Sequence, residues 1–423
     1  MIGKSARQIA FEILFEVNHK GAYSNILLSQ TLRDSNLSPR DKAFATNLVY
    51  GVLRNRNLLD DLVLKCADRN LDKIDSKLLE VLRMGAFQLH ILQAPAHAAV
   101  NESVELAKIV AGKSTASFAN AILRGITKVI ESGTYTPEGL SIQYSTPAWI
   151  INAFRDALPN EDQVIAQLKA DNHGEASTLI AWPGRSSTSE LIDAGGVAVE
   201  ASPYAVTFTG NPGDIPAIRE RRAGVQDLGS QLVVERFFET GKPGMRWLDL
   251  CAGPGGKAAY LDSLIQDGEF VANEISEERC RLVKQVVRSG MVINHDGRNL
   301  PTEVGDFDRI LIDAPCTGIG ALRRRPEIKW RRTPGDLPGL LVLQEDLLNA
   351  AASRLRPNGV IGFATCSPHQ AETKWQIKSF LKRNPQFSRL RVGKDADADG
   401  DMQLWTFRDK TDSMFLSLLQ LKV

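Results

Sequence analysis

With 423 residues, the chain is long for one domain and suited to two or three. A hydrophobic fraction of 43% beside 24% charged residues marks a folded globular protein and excludes a disordered one. Lys+Arg 51 against Asp+Glu 50 leaves a net charge of +1, so a nucleic-acid partner would have to be met by a local basic patch. No apolar run approaches the roughly 20 residues of a membrane helix, and we expect no membrane partner. Lys4, Arg7 and Glu12 fall inside an amphipathic pattern, so no signal peptide is read at the start. Cys66, Cys251, Cys280, Cys316 and Cys366 form no C-x-x-C pair and are odd in number. Reduced thiols in the cytoplasm are therefore expected, with neither disulfides nor a metal site.

The first third reads as helix throughout. Ala6, Ile9, Ala10, Ile13, Leu14 and Val17 follow helical spacing behind a Ser5/Gln8 capping box. Ser38-Pro39 starts a second helix and Asp75 caps a third, Leu78 to Leu92. Ala99 to Val110 and Ser117 to Ile130 give two more. We therefore expect an N-terminal all-α bundle over 1–134. His90 and His97 are lone histidines read as structural, and Arg54, Arg56, Lys108, Lys113, Arg124 and Lys128 suit either phosphates or solvated helix faces. From 135 to 220, scattered prolines separate short runs such as Ser177–Trp182 and Tyr204–Phe208, predicting a small mixed α/β connecting subdomain.

From 221 to 423 the rhythm is strand, glycine turn, helix. Strands are predicted over Arg246–Leu250, Glu269–Ile275, Val292–Asp296, Phe307–Asp313 and Gly359–Thr365, with helices over Glu277–Arg288 and Leu340–Arg354. Right-handed crossovers then give a Rossmann-like α/β domain. Leu404–Phe407 and Met414–Leu421 are expected to add an antiparallel edge hairpin.

The first strand carries Asp249 and runs into Cys251-Ala252-Gly253-Pro254-Gly255-Gly256-Lys257. Its glycines admit a close ligand, and the following helix N-terminus favours an anionic group. Glu274 closes the next strand, near the offset at which a carboxylate grips ribose hydroxyls. The G-x-G-x-x-G of a dinucleotide site is not matched. S-adenosylmethionine, with an ammonium, a carboxylate and a ribose, suits Asp249 and Glu274 better. Asp296, ending the third strand, is then placed to accept from the adenine amino group.

Two further strand ends carry thiols. Phe307–Asp313 leads into Ala-Pro-Cys316-Thr-Gly, and Gly359–Thr365 leads into Cys366-Ser367. If these strands are parallel neighbours, both thiols emerge at the carboxyl edge of one sheet, where such sheets bind ligands. A thiolate adding to C6 of a pyrimidine makes C5 nucleophilic enough to take a methyl group, and a second thiol can assist breakdown of the adduct. Asp313 can hold the polar edge of a ring, and the base must be unpaired or flipped out. Arg323, Arg324, Arg325, Lys329, Trp330, Arg331 and Arg332 follow closely, with Glu327 as the one acid among them. A charge cluster with a stacking aromatic is the footprint of RNA contact, and we expect it there.

These motifs resemble those of the RNA 5-methylcytosine methyltransferases, and of the bacterial Sun/Fmu (RsmB-type) 16S ribosomal RNA enzymes in particular. The resemblance rests on Asp249–Lys257, Asp313–Gly318 and Thr365–Ser367. Gln226-Asp227, Ser230-Gln231 and the Arg324, Pro326, Ile328, Lys329, Trp330 set add to it. Leu48–Arg54 is similar to the NusB-like RNA-binding module of this subgroup. The resemblance implies that Cys366 is the nucleophile, that Cys316 assists product release, and that Lys257 and Asp313 face the cytosine. It adds Arg279 to the cofactor set of Asp249, residues 251–257, Glu274, Asp296 and Asp313. The implied partner is 16S rRNA, the implied cofactor S-adenosylmethionine, and the expected state a monomer. Glu274 stands where the family usually has aspartate. Ser367–Thr373 lacks the common Glu-x-Asn, Ile180–Pro183 the usual Arg-x-Asn, and Thr411–Phe415 the usual Gly-Phe-Phe. A tRNA methyltransferase and a non-catalytic assembly factor are the alternatives.

Overall fold

The computed structural model describes residues 4–422. The chain divides into two compact units: Met1–Asn152 with Arg324–Arg332, and Ala153–Arg323 with Thr333–Val423.

In the first unit, α1 (Ala6–Lys20) starts at Ser5, whose hydroxyl accepts from the Gln8 amide while the Gln8 side chain accepts from the Ser5 amide. Gly21, at φ 77°, ends it in a left-handed conformation that favours glycine. There follow α2 (Ser24–Arg33), α3 (Pro39–Arg54, capped by Ser38), α4 (Arg56–Cys66), α5 (Ser76–His90, capped by Asp75), α6 (Ala96–Val110) and α7 (Ala116–Glu131). Their apolar stripes meet in one core holding Leu14, Leu48, Leu62, Leu82 and Leu123. Each fully buried leucine contributes about 1.5–3 kcal/mol. Helix α2 escaped the sequence reading because it buries only Ser24 and Leu28, too short an apolar stripe to show a period. The unit also runs past the expected boundary at 134. The Tyr135 hydroxyl donates to Asp61 at 2.8 Å, and the Asn57 amide donates to the Ser145 hydroxyl at 2.7 Å, so residues 135–152 go with the bundle.

The second unit holds two sheets. A four-stranded antiparallel sheet, ordered β2-β3-β1-β4, contains β1 (Ser177–Ala181), β2 (Val197–Ala198), β3 (Ala205–Phe208) and β4 (Ala223–Val225). It forms one unit with the remainder, tied in part by the Gln231 side chain donating to the carbonyls of Leu179 and Gln226. The larger sheet has eight strands: β5 (Met245–Asp249), β6 (Gly268–Asn273), β7 (Met291–Ile293), β8 (Phe307–Asp313), β9 (Leu355–Thr365), β10 (Phe387–Leu390), β11 (Met402–Gln403) and β12 (Phe415–Leu421). Its order is β10-β12-β9-β8-β5-β6-β7, with β11 beside β12. The run from β9 to β7 is parallel, while β12 is antiparallel to its neighbours.

The expected edge hairpin is corrected here. Strand β12 lies inside the sheet between β9 and β10, and Thr406–Asp409 is a helical turn. Phe415 to Leu419 are buried without alternation, the pattern of a strand covered on both faces. The strand order reverses at β5, between β6 and β8, which places a ligand crevice outside the carboxyl ends of β5 and β8. Among the described residues no helix is long and apolar enough to cross a membrane.

Candidate active site

Asp249 ends β5 at that crevice and is fully buried. One carboxylate oxygen accepts from the Cys251 amide at 3.3 Å, and the other has no hydrogen-bond partner among the described residues. Burial, with the nearby Asp313 carboxylate adding to it, pushes the Asp249 pKa up to about 8. Left over at the carboxyl end of a strand beside a glycine turn, this acceptor can meet a cationic or hydrogen-donating ligand. Glu274, past the end of β6, is buried too and accepts from the Gly253 amide at 3.0 Å, the Ser276 amide at 2.8 Å and the Arg279 guanidinium at 2.7 Å. A Cβ on Gly253 would lie 2.1 Å from the Glu274 carboxylate, so only glycine permits this turn-to-acid contact. Gly255, at φ 116°, then opens the helix Gly256–Leu264. Ala252 is buried and Pro254 lies in the same turn, while burial pushes the Cys251 thiol well up, fitting it for packing rather than nucleophilic chemistry. Asp296, beyond β7, is gripped by Arg298 at 2.7 Å and borders a cleft of about 430 Å³ lined also by Asn299, Asp346 and Asn349.

Next to this turn lie the thiols. Strands β8 and β9 are parallel neighbours with Asp313 opposite Ala364, and the Ala314 amide donates to the Ala364 carbonyl at 2.8 Å. Cys316 Sγ lies 3.5 Å from Cys366 Sγ, with Cys316 buried and Cys366 partly exposed. Hydrogen bonding to Cys366, then burial and the Glu372 and Asp313 carboxylates, push the Cys316 thiol well above its ordinary pKa. Cys316 therefore stays neutral near pH 7 and can donate to its neighbour. Lys257, on the first turn of the helix after the glycines, donates to Asp313 at 2.9 Å. Burial works against its ammonium, but Asp313 beside it prevails and holds its pKa above the ordinary value. The Gly320 amide donates to the Cys366 carbonyl at 2.9 Å, and a Cβ at Gly320 would meet the Ser413 carbonyl at 2.3 Å.

The basic stretch is used differently from the expectation. Arg323 is buried in the second unit, donating to Asp227 at 2.9 Å and also to Glu175. Residues 324–332 form part of the first unit instead. There the buried Lys329 ammonium donates to the Ser145 carbonyl at 3.1 Å, and the Trp330 indole donates to the Leu53 carbonyl at 2.8 Å. Arg331 donates to the carbonyls of Ala22 and Val17. Arg331 and Arg325 both lie over the Tyr23 ring, and Arg56 lies over Trp330. Glu327 accepts from the Ser24 hydroxyl at 2.8 Å. Arg324 and Arg332 are half-buried in the same segment. Helix ends supply carbonyl acceptors that a chain of cations satisfies, so Lys329, Trp330 and Arg331 are committed inside the protein. Sequence reasoning also passed over Glu372, a buried carboxylate within hydrogen-bond reach of residues adjoining both cysteines. An acid among small polar residues just after the second thiol was the available sign.

A Rossmann-like sheet with a glycine turn, strand-end carboxylates and a two-thiol edge defines a methyltransferase. Comparison with known proteins places the chain in a family. Residues 240–420 match the family described as 16S rRNA methyltransferase RsmB/F, and residues 4–128 match the NusB family. A Mycobacterium tuberculosis protein named as a methyltransferase is 41% identical over 446 residues, covering 98% of this chain and 96% of its own. Ribosomal RNA small subunit methyltransferase B of Escherichia coli is 31% identical, covering 92% of this chain and 93% of its own. The crystal structure of PH0851 has the same fold, with a TM-score of 0.84 at 22% identity over 98% of each chain. The chain belongs to the RsmB/F family of rRNA methyltransferases, with an N-terminal NusB domain.

Proposed function

We propose that this enzyme uses S-adenosylmethionine to methylate C5 of a cytosine in 16S rRNA through a covalent bond between Cys366 and C6 of the base. The observation that carries the reading is the 3.5 Å thiol pair beside the Lys257–Asp313 ion pair at one sheet edge. The description of the matching family, 16S rRNA methyltransferase RsmB/F, supports the 16S assignment. Asp249 with its unpartnered oxygen, the Gly253–Gly256 turn, Glu274 and Asp296 are the residues that would hold the cofactor. Bound there, S-adenosylmethionine supplies an electrophilic methyl group. Arg279 acts on Glu274, fixing the carboxylate that the turn leans on.

Cys366, the more accessible thiol, adds to C6 and makes C5 nucleophilic. Asp313 and Lys257 hold the polar edge of the cytosine, favouring the adduct. Once C5 carries the methyl group, its proton passes to solvent, the electrons of that C–H bond re-form the C5=C6 double bond, and Cys366 leaves as a thiolate that the neutral Cys316 thiol, at hydrogen-bond distance, stabilises by donating to it. Cys316→Ala, incubated with rRNA and S-adenosylmethionine, is expected to accumulate a protein–RNA adduct seen as a retarded band on a denaturing gel. The double variant with Cys366→Ala should show none. No band from the single variant, or a band from both, would sink the assignment of roles. Bisulfite sequencing of RNA from a deletion strain identifies the cytosine; a site lost from tRNA with 16S rRNA unchanged would move the substrate while keeping the chemistry.

A further inference from the structure

Glu372 is fully buried, yet the methyl-transfer chemistry described above makes no use of it. Its carboxylate accepts from four donors. The Thr317 amide and the Gln344 side chain reach Oε1 at 2.8 Å and 3.2 Å. The Ser367 hydroxyl reaches Oε2 at 2.6 Å, and the Thr317 hydroxyl donates to the same oxygen. Gln344, also buried, donates in addition to the Pro315 carbonyl at 2.9 Å. A buried carboxylate is costly unless its lone pairs are met. Here they are met by Thr317, directly after Cys316, by Ser367, directly after Cys366, and by Gln344, which also holds the Pro315 carbonyl just before Cys316. Strands β8 and β9 bring the two loops to one edge, but main-chain pairing between the strands stops at Asp313–Ala364, before either cysteine. Beyond that point the Gly320 amide on the Cys366 carbonyl and the Glu372 knot join the loops.

We propose that Glu372 is a positioning residue, tying the loop of Cys316 to the loop of Cys366 and thereby setting the separation and aim of the two thiols. The inference rests on the reading that both thiols act on the target base. A small misplacement of reacting groups costs on the order of a hundredfold in rate, so the tie has a kinetic signature distinct from simple loss of stability.

The test compares Glu372→Leu, Glu372→Gln and Ser367→Ala with the unmodified enzyme. Read-outs are methylation kinetics on 16S rRNA and the iodoacetamide alkylation rates of Cys316 and Cys366, followed by peptide mass spectrometry. Glu372→Leu is expected to lower kcat roughly 10- to 100-fold with KM for RNA within about twofold, and to shift the ratio of the two alkylation rates. Glu372→Gln keeps the size and an accepting oxygen, and the hydroxyls of Thr317 and Ser367 can turn to accept from its amide. It should recover kcat to within about threefold of the unmodified enzyme. Ser367→Ala leaves Glu372 and its other donors in place but removes the tie on the Cys366 side, together with the hydroxyl's contacts to the Thr317 hydroxyl and the His369 amide at 3.2 Å each, so it decides the matter if Glu372→Leu fails to fold; a several-fold loss of kcat is expected. Unchanged kcat and alkylation ratio in the folded variants would overturn the proposal. So would equal losses in the Gln and Leu variants, because charge and not the tie would then be the cause. Alkylation needs no RNA, so an active Cys366→Ala would refute the covalent reading while leaving the positioning result to stand or fall by itself.

Discussion

Residues 313–318 and 324–332 are near neighbours in sequence and both carry side chains that read as functional, yet they belong to different compact units. In the first stretch, Asp313 reaches only as far as Lys257, and Cys316 shares a contact with a second thiol at a sheet edge. The neighbouring Asp249 keeps an oxygen without a partner. In the second, Lys329, Trp330 and Arg331 end on main-chain carbonyls and Glu327 on Ser24. Charge density alone therefore does not distinguish a ligand site from a structural clasp. The distinction lies in where an unpaired group sits: Asp249 keeps one oxygen free at a strand end beside the glycine turn, whereas the unpaired Nε atoms of Arg325 and Arg331 belong to guanidiniums already seated over Tyr23.

The widest test of this contrast uses the thiols. Cys366→Ala is expected to lower methyl transfer by at least about a thousandfold, as loss of a nucleophile does in other covalent enzymes. Cys280→Ala, in the same unit but buried in packing between a helix and Ile293, should change kcat by less than about twofold. Comparable losses from both would erase the distinction between reactive and structural cysteines. A smaller effect is expected from the clasp. Trp330→Ala should destabilise the enzyme by about 2–3 kcal/mol, measured by denaturant unfolding, since it removes a large ring and leaves the Leu53 carbonyl without that donor. Arg331→Gln should leave the salt dependence of RNA binding unchanged. A slope reduced by about one charge, with stability intact, would return this stretch to the RNA interface.

What the sequence made legible follows the same line. Helix caps at Ser5, Ser38 and Asp75 were readable because each is a local hydrogen-bonding pattern. The strand ends at Asp313 and Thr365 were readable because an apolar run stops there on polar residues, whereas the first strand was read to Leu250 and ends one residue earlier, at Asp249. The clasp was not, because Glu327 and Ser24 lie 303 positions apart and nothing local announces their meeting. Insertion of β12 between β9 and β10 is likewise a choice among tertiary partners. Glu372 was hidden for a further reason: its importance lies in what it accepts, and the donors come from segments 5, 28 and 55 residues away. The thiol pair could be placed from the strands, but the division of roles between Cys316 and Cys366 came from resemblance.

The last test concerns the unpartnered oxygen of Asp249 and is read as a pH dependence. Burial lifts its carboxyl from an ordinary 3.8 to about 8, so between those values the folded protein holds a proton that the unfolded chain has released. Stability must then fall as pH rises through that window, with a slope of at most one proton from this group. Asp249→Asn removes the contribution, so its unfolding free energy should decline less than that of the unmodified protein between about pH 5 and pH 8. Taking the difference between the two proteins cancels the other titrating groups they share. Binding of the ammonium of S-adenosylmethionine beside this carboxylate would favour its charged form and expel the proton. Calorimetric titrations near pH 7 in buffers of different ionisation enthalpy should then show release of up to about one proton per cofactor, absent in Asp249→Asn. Parallel stability curves for the two proteins, or identical proton release, would mean that Asp249 is already ionised before the cofactor arrives, and the contrast between satisfied and unsatisfied polar groups would lose its sharpest case.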